Sequence, residues 1–318
     1  MSDVDDVSDV DDVRTTGRPA RGDGGGAPGT PEGAVPWRRL LADATARLRD
    51  AGVEDPAQEA RWLVERAGGW TAAEAVARLD EPATVRAATH LHGMLERRLA
   101  GEPLQYALGR WGFRSLDLYV DRRVLIPRPE TEALAEAALD ECRRLPARVA
   151  VDLGTGSGAI ALSLAVESPG LEVWATDASA NALAVARANL SGLGRPATRV
   201  RLAEGEWFAA LPPELAGRVD VVVSNPPYVA EAEMADLPAE VRDWEPRAAL
   251  CAGPTGLEDV ERIAAEAPRW LAQPGSLLVE IAPHQAAAAR RLALAAGFAT
   301  ATVWPDLAGR DRILVARR

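Results

Sequence analysis

The 318-residue sequence contains no lysine, and it has only three histidines and two cysteines. An enzyme that transfers a hydride usually needs a His, Tyr or Lys to exchange a proton with its substrate. No His or Lys lies beside the two motifs described below, which disfavours that chemistry. Cys142 and Cys251 do not have the spacing of metal ligands, and so few cysteines indicate a reduced compartment. We therefore expect no metal site.

Long apolar runs and a positive net charge are also missing. Arg, Asp or Glu interrupts every apolar stretch well before the length of a membrane span, so no transmembrane helix is predicted. The first residues are acidic and lack the apolar core of a signal peptide. The net charge of −11 disfavours a broad phosphate-binding surface, although much of it lies in the first dozen residues. We expect a cytoplasmic monomer that binds no membrane and no nucleic acid directly.

The sequence divides into four parts. Residues 1–34 combine Asp-Val repeats with a Gly/Pro/Ala-rich stretch and are predicted to be a disordered tail. Residues 35–103 have apolar side chains at helical spacing and predict a small all-helical domain. That domain is expected to dock a macromolecular substrate, and a structural appendage is the alternative. Residues 104–125 predict a connector with a short hairpin, and residues 126–318 predict the main domain.

Local signals mark the starts of the N-terminal helices. Apolar periodicity begins after Pro36, and Asp55 followed by a proline is typical of a helix cap with Pro in the first turn. The sequence from Thr71 to Glu74 has the form of a capping box. A fourth helix is predicted over residues 83–99.

Predicted strands and helices alternate from residue 126 onward. Strands are expected at 148–153, 171–177, 198–203, 219–224, 276–282, 299–304 and 312–317. Helices are expected at 130–142, 158–167, 179–190, 257–272 and 284–296. This alternation predicts an α/β fold, with a mostly parallel seven-stranded sheet covered by helices on both faces. Ligands of such sheets bind at the carboxyl ends of the strands.

A glycine-rich turn follows the first of these strands. Its glycines form the pattern Gly-x-Gly-x-Gly, which lets ligand atoms approach the backbone at a helix N-terminus: Gly154, Gly156 and Gly158. Asp177 ends the next strand, where a carboxylate can accept hydrogen bonds from two ribose hydroxyls. A helix cap before Ser179 is its alternative role. Trp207 follows the third strand, where the base of a nucleoside cofactor would lie, and core packing is its alternative role.

The sequence Asn-Pro-Pro-Tyr follows the strand predicted at 219–224. The side-chain oxygen of Asn225 and the carbonyl of Pro226 can each accept one N–H of a planar NH2 group. Pro226 and Pro227 hold these acceptors rigidly and donate no competing hydrogen bond. The ring of Tyr228 can lie over the face of an amide or a base. These residues predict a clamp for an amide or an aromatic amine.

The clamp favours S-adenosylmethionine over a nicotinamide cofactor. Methyl transfer from a sulfonium to an amine-like nitrogen needs in-line alignment, which the clamp supplies, and no neighbouring His, Tyr or Lys. The two motifs therefore predict an enzyme that methylates a nitrogen of this kind.

Four segments together carry a family resemblance. They are Leu-Ile-Pro-Arg-Pro-Glu-Thr-Glu at 125–132, Val-Asp-Leu-Gly-Thr-Gly-Ser-Gly at 151–158, Asn-Pro-Pro-Tyr at 225–228 and Asp-Trp-Glu-Pro-Arg-Ala-Ala-Leu at 243–250. The chain resembles the release factor glutamine methyltransferases, also called the PrmC or HemK family, from about residue 37 to its C-terminus. The resemblance implies a Rossmann-like, class I S-adenosylmethionine-dependent methyltransferase fold with a small N-terminal helical domain.

The resemblance also implies an activity and a set of site residues. Members of the family methylate the side-chain amide nitrogen (N5) of the glutamine in the Gly-Gly-Gln loop of class-1 peptide chain release factors, which supports translation termination. By this resemblance the cofactor is bound by Gly154, Thr155, Gly156, Ser157, Gly158, Asp177, Trp207 and Asn225. The glutamine amide is bound by Asn225, Pro226, Pro227 and Tyr228, of which Asn225, Pro226 and Tyr228 are the expected catalytic residues.

The sequence allows more than one interpretation of three features. Glu206 stands where the family commonly has Asp, so its contact with the adenine amine is in doubt. Arg128 and Glu130 either line the cofactor cleft or only fix the entry of the chain into the main domain. The alternative functions are a nucleic-acid exocyclic-amine (adenine N6 or guanine N2) methyltransferase, a non-catalytic S-adenosylmethionine-binding protein and, most weakly supported, a nicotinamide oxidoreductase.

Overall fold

The computed structural model describes residues 35–318, and the tail predicted at 1–34 lies outside the described residues. The described residues begin with four helices: Trp37–Asp50 (α1), Pro56–Gly68 (α2), Ala72–Ala77 (α3) and Val85–Leu99 (α4). The side chain of Asp55 caps α2 by accepting from the Gln58 N–H over 3.2 Å. At α3, Thr71 and Glu74 form both bonds of a capping box. These two predicted helix starts are confirmed.

A fifth helix, Leu104–Leu108 (α5), lies where the sequence predicts the start of a connector. Its flanking Pro103 and Gly109 are typical of a loop, and five residues are too few to show helical periodicity. Tertiary contacts stabilise it, because Leu104 and Leu108 are buried in one core with side chains of α1, α2 and α4. The predicted hairpin follows, and Trp111–Phe113 (β1) pairs antiparallel with Leu116–Leu118 (β2).

The predicted seven-stranded, mostly parallel sheet is confirmed. Its strands are Val149–Leu153 (β3), Glu172–Asp177 (β4), Val200–Glu204 (β5), Val219–Ser224 (β6), Leu271–Glu280 (β9), Thr300–Pro305 (β10) and Asp311–Arg317 (β11). Their spatial order is β10-β11-β9-β6-β3-β4-β5. In this sheet β11 alone runs opposite to the other six strands. A short parallel pair that was not predicted, Val229–Ala230 (β7) with Cys251–Gly253 (β8), follows the clamp.

Helices cover both faces of the sheet. They are Pro129–Arg144 (α6), Ala159–Glu167 (α7), Ala180–Ser191 (α8), Glu258–Trp270 (α10) and Ala286–Ala295 (α11). The short helix Ala239–Arg242 (α9) has no buried residue and belongs to neither core of the sheet. Alternate residues of β6 enter two separate cores: Val221 and Val223 pack with α6, α7 and α8, and Val222 packs with α10 and α11. The continuous apolar run of β6 is thus explained by burial on both faces.

The boundary between α10 and β9 differs from the prediction. The helix ends at Trp270, and the strand begins at once with Leu271 rather than at residue 276. Leu271 pairs with Val219, and the register then shifts so that Ser276 pairs with Val221. The residues between them bulge out of the ladder, which is why Pro274 and Gly275 can lie within this strand.

Polar contacts join the N-terminal helices to the rest of the chain. The Tyr106 hydroxyl of α5 donates to the Val124 carbonyl, and both residues are buried in the main core. The Arg98 guanidinium of α4 binds Glu59 of α2 and Glu240 of α9. Across residues 35–318, no helix is both long enough and apolar enough to cross a lipid bilayer.

Tyr106→Phe should lower the free energy of unfolding by about 1–3 kcal/mol, because it leaves the buried Val124 carbonyl without its donor. The control is Tyr119→Phe, which removes a hydroxyl that donates a solvent-exposed hydrogen bond to Asp121. This substitution should change the free energy of unfolding by no more than about 0.5 kcal/mol. Urea denaturation of the three proteins measures both values. Equal effects of the two substitutions would contradict a stabilising role for the buried bond.

Candidate active site

The two sequence motifs meet at the carboxyl ends of β3 and β6. These neighbouring strands are parallel, and Leu153 pairs with Ser224 at the end of their register. The Ser224 hydroxyl also donates to the Leu153 carbonyl over 2.7 Å. Strand pairing therefore places the glycine-rich turn after β3 beside Asn225 after β6.

A cavity of about 420 Å³ lies at this junction. The predicted site residues that line it are Gly154, Thr155, Gly156, Ser157, Asp177, Trp207, Asn225 and Pro227. Gly158, Pro226 and Tyr228 are not among its lining residues. The structure thus gathers most of the predicted site around one space, and the roles of the individual residues stay predictions.

Two glycines of the turn line the cavity in a conformation that favours glycine. Gly154 has φ of 71°, and a Cβ there would lie 3.3 Å from the Trp207 ring. Gly156 has φ of 56°, and its N–H donates to the Asp177 carboxylate over 2.9 Å. Both dihedral angles lie in the left-handed region that favours glycine. The turn therefore presents its backbone to the cavity at Gly154, beside the Trp207 ring, and at Gly156, which is bonded to Asp177.

Asp177 is held rigidly at the end of β4. One carboxylate oxygen accepts from the Gly156 N–H, and the other accepts from the Ser179 N–H over 2.8 Å. Burial raises the pKa of Asp177, and these two backbone donors oppose that rise. The cap of α8 is Ser179, whose hydroxyl accepts from the Ala182 N–H. Asp177 is thus not the helix cap, and each of its oxygens keeps a lone pair for a further donor.

Trp207 and Glu206 lie at another part of the cavity wall. Trp207 has φ of 48°, an uncommon conformation for a bulky residue, and its carbonyl accepts from the Thr176 hydroxyl. Its indole N–H is buried and has no hydrogen-bond partner among residues 35–318. The exposed Glu206 carboxylate pairs with the Arg262 guanidinium, with 2.8 Å between Oε2 and Nη2. Glu206 is therefore already engaged by Arg262.

Asp259 also lines the cavity, and no sequence motif pointed to it. Its carboxyl is half-buried, and burial raises its pKa to about 6. The side chain belongs to the first turn of α10, one helical turn before Arg262. The cavity therefore has two acidic side chains near Trp207, of which Glu206 pairs with the arginine.

The Asn225 side chain is oriented by a buried relay. Its Nδ2 donates to the Thr131 hydroxyl over 3.1 Å, and that hydroxyl donates to Glu280 Oε2 over 2.8 Å. Asn225 Oδ1 is buried and has no hydrogen-bond partner within the described part of the chain. Asn225 thus brings an unused acceptor to the cavity wall. Thr131 and Glu280 were absent from the predicted site, although Thr131 lies within the segment 125–132 that carries the resemblance.

Pro226 and Tyr228 flank Pro227 in the clamp and are not among the residues that line the cavity. Pro226 is buried, and Tyr228 is partly buried with its hydroxyl 3.5 Å from Glu280 Oε1. Burial and the nearby Glu280 raise the pKa of Tyr228 to about 12. The Tyr228 carbonyl accepts from the side chain of Gln285 over 2.9 Å. These contacts fix the backbone of the clamp.

The proline-rich segment 125–132 is bound to the segment after the clamp. The buried Glu245 carboxylate accepts from the Ile126 N–H over 3.1 Å and pairs with Arg128. Glu130 instead pairs with Arg310 over 2.9 Å. Arg128 and Glu130 do not line the cavity, whereas Leu125, Pro127 and Thr131 do. The two charged residues therefore anchor the segment, and its apolar residues and Thr131 form the wall.

The buried carboxyl of Asp152 holds the glycine-rich turn against the helix that follows it. Asp152 is 1% exposed, and its Oδ2 accepts from the Thr155 hydroxyl over 2.6 Å and from the Ala161 N–H. Its Oδ1 has no partner among residues 35–318. Burial raises the pKa of Asp152 to about 7. The turn is thus pinned by a carboxyl that takes up a proton near neutral pH.

Comparison with known protein families gives two matches. Residues 39–109 match the PrmC N-terminal domain, and residues 131–240 match the methyltransferase small domain. A solved structure, the hMettl16 catalytic domain in complex with a 3′UTR hairpin, has a TM-score of 0.50 at 17% identity and covers 73% of this chain and 79% of that chain. At that identity the likeness concerns the fold alone, and it agrees with the predicted methyltransferase fold.

Curated relatives match nearly the whole chain. The release factor glutamine methyltransferase of Cereibacter sphaeroides is 43% identical over 277 residues, which span 87% of this chain and 96% of that protein. The protein of the same name from Moorella thermoacetica is 44% identical over 283 residues, which span 88% and 98%.

Asp152 gives the site a pH-dependent stability. Its pKa is raised in the folded state, so the folded protein binds this proton more tightly than the unfolded chain between about pH 4 and pH 7. The stability contributed by protonated Asp152 is therefore lost as pH rises through that window. We expect the free energy of unfolding of the wild type, relative to Asp152→Asn, to fall between pH 5 and pH 8 in urea denaturation.

The control for this measurement is Asp306→Asn. Arg310 lowers the pKa of Asp306, which stays ionised from pH 5 to pH 8, so the difference between wild type and this variant should be constant across that range. A constant difference for Asp152→Asn as well would show that Asp152 is ionised throughout.

Proposed function

Because this chain belongs to the release factor glutamine methyltransferase family, we propose that it transfers a methyl group from S-adenosylmethionine to the side-chain amide nitrogen of the glutamine in the Gly-Gly-Gln motif of class-1 peptide chain release factors. One observation carries the proposal. The buried oxygen of Asn225 has no partner within residues 35–318, and it lies on the cavity that the glycine-rich turn also lines. This acceptor lacks a donor, and in the proposal an N–H of the glutamine amide supplies it.

The lining residues fit S-adenosylmethionine. The close backbone approach at Gly154 and Gly156 suits its methionine part, and the free lone pairs of Asp177 suit two ribose hydroxyls. The Trp207 ring offers an apolar surface to the adenine, and Asp259 offers an acceptor near the adenine amine now that Glu206 pairs with Arg262. When bound, the cofactor supplies an electrophilic methyl group on a sulfonium.

The clamp addresses the weak nucleophilicity of an amide. The lone pair of the amide nitrogen is delocalised into its carbonyl, so the nitrogen attacks poorly unless it is oriented. Asn225 Oδ1 and the Pro226 carbonyl accept its two N–H hydrogens and direct the lone pair towards the methyl group, with Tyr228 and Pro227 limiting the movement of the amide. As the nitrogen gains the methyl group it becomes acidic, and one of its protons passes to solvent. The reaction needs no dedicated base.

The remaining parts of the chain receive supporting roles. We assign residues 35–103 to docking of the release factor, residues 104–125 to a connector whose first helix, α5, packs into the core of α1, α2 and α4, and residues 126–318 to catalysis. The enzyme is proposed to act as a monomer in the cytoplasm and to support translation termination. It is proposed to bind no nucleic acid directly, which agrees with the acidic net charge of −11.

The test is transfer of labelled methyl from S-adenosylmethionine to a purified class-1 release factor. The same factor with Gln→Ala in its Gly-Gly-Gln loop, and total tRNA, rRNA and DNA, are assayed in parallel. Label on the unaltered factor alone supports the proposal. Label on nucleic acid alone would replace it with methylation of a base amine.

Asn225→Ala should lower kcat about 10²-fold or more, because a preorganised contact to the reacting group is lost. Steady-state kinetics on release factor measure the effect. Asn181→Ala, an exposed asparagine on α8 that does not line the cavity, is the matched control and should keep the wild-type kcat. Full activity of Asn225→Ala would exclude the clamp mechanism.

Asp177→Ala should weaken the binding of S-adenosylmethionine roughly 10- to 100-fold, since a charged acceptor contributes about 1.5–3 kcal/mol. Calorimetric titration measures the dissociation constant. Asp140→Ala removes an exposed carboxylate from α6 and should leave it unchanged. A dissociation constant for Asp177→Ala equal to that of the wild type would remove Asp177 from the ribose site.

A further inference from the structure

We propose that Thr131 and Glu280 are positioning residues that fix the Asn225 carboxamide with its oxygen, rather than its nitrogen, available to the substrate. This inference rests on the proposed function, because it assigns the orientation of the group that accepts the substrate N–H. Neither residue belongs to the clamp motif, and Glu280 does not line the cavity.

The three side chains come from three separate elements. Asn225 follows β6, Thr131 lies in the first turn of α6, and Glu280 ends β9. Asn225 Nδ2 donates to Thr131 Oγ1 over 3.1 Å, and Thr131 Oγ1 donates to Glu280 Oε2 over 2.8 Å. Thr131 is 4% exposed and Glu280 is 1% exposed, so water does not compete for these bonds.

The direction of the relay follows from the number of hydrogens. An ionised carboxylate only accepts, and a hydroxyl has one hydrogen. Glu280 therefore takes the hydrogen of Thr131 and leaves only lone pairs on that oxygen. A group that faces those lone pairs must donate, so Asn225 turns its NH2 towards Thr131 and keeps Oδ1 unpaired within residues 35–318. A flipped amide would place oxygen against oxygen and would present an NH2 group to the substrate's NH2 group.

The charge of Glu280 controls this arrangement. The groups that face Glu280 are Thr131 and Glu130 of α6, Tyr228 of the clamp and Arg312 of β11. Burial raises the pKa of Glu280 to about 7, Glu130 adds to that rise, and Arg312, Thr131 and Tyr228 oppose it. A protonated Glu280 has a hydrogen to donate, and Thr131 is then free to donate to Asn225 Oδ1. Turnover should consequently fall as pH drops through about 7.

Thr131→Val tests the relay, because valine keeps the shape of threonine and removes the hydroxyl. Its kcat on release factor should fall roughly 10-fold or more, with KM for the factor and Kd for S-adenosylmethionine within about 2-fold of wild type. Thr131→Ser restores the hydroxyl and should recover most of the kcat. Thr302→Val, an exposed threonine on β10, is the matched control and should keep the wild-type kcat. Thermal unfolding of each variant shows that it is folded.

Glu280→Gln adds a readout that a structural role alone would not change. The glutamine side chain in this variant has no proton to lose, so at saturating S-adenosylmethionine the fall in kcat below about pH 7 should be smaller in the variant than in the wild type. Any part of the fall caused by protonation of Asp152 or Asp259 should be the same in both proteins. The inference is overturned if Thr131→Val retains the wild-type kcat, or if Glu280→Gln and the wild type lose the same fraction of kcat as pH drops through about 7. Either result leaves the proposed function standing as long as the wild type methylates the glutamine. A wild type that methylates no release factor would overturn the proposed function itself.

Discussion

The parallel pairing of β3 with β6 is the constraint on which the site depends. It ends with Leu153 opposite Ser224, and the next residues of both strands are the first glycine of the turn and Asn225. A shift of one residue in this register would move the side chains of a strand to the opposite face and separate the two motifs. The burial of β6 in two cores makes such a shift costly. The packing of the sheet thereby fixes the distance between the cofactor half and the substrate half of the cavity.

Buried carboxyl groups then hold the loops that this pairing brings together. Asp152 pins the glycine-rich turn, Glu245 binds the proline-rich segment, and Glu280 orients Asn225 through Thr131. Burial raises the pKa of all three carboxyls. Each of these carboxyls accepts a hydrogen bond from a backbone N–H or a hydroxyl near the carboxyl ends of the parallel strands. These buried acceptors thus hold the loops of the site. Water does not compete for their hydrogen bonds, so the bonds are specific, and their raised pKa values make the bonds sensitive to protonation.

Sequence periodicity could predict the sheet and most helices because burial on one or both faces leaves a regular apolar pattern, as in the continuous run of β6. It could not predict α5, whose five residues are stabilised by contacts with distant helices rather than by their own pattern. The start of β9 was missed because it depends on pairing with Val219. In the site, the motifs located Asp177, Trp207 and Asn225 on the cavity, but they could not connect Thr131 to Glu280, which lie 149 residues apart.

The proposed mechanism depends above all on the oxygen of Asn225 accepting an N–H from the glutamine amide. A crystal structure of this protein with S-adenosylhomocysteine and a class-1 release factor would measure that contact. We expect the glutamine amide nitrogen about 2.7–3.2 Å from Asn225 Oδ1, with Asn225 Nδ2 still bonded to Thr131. A glutamine amide bound elsewhere in the cavity, or an Asn225 oxygen that accepts from Thr131 instead, would contradict the mechanism.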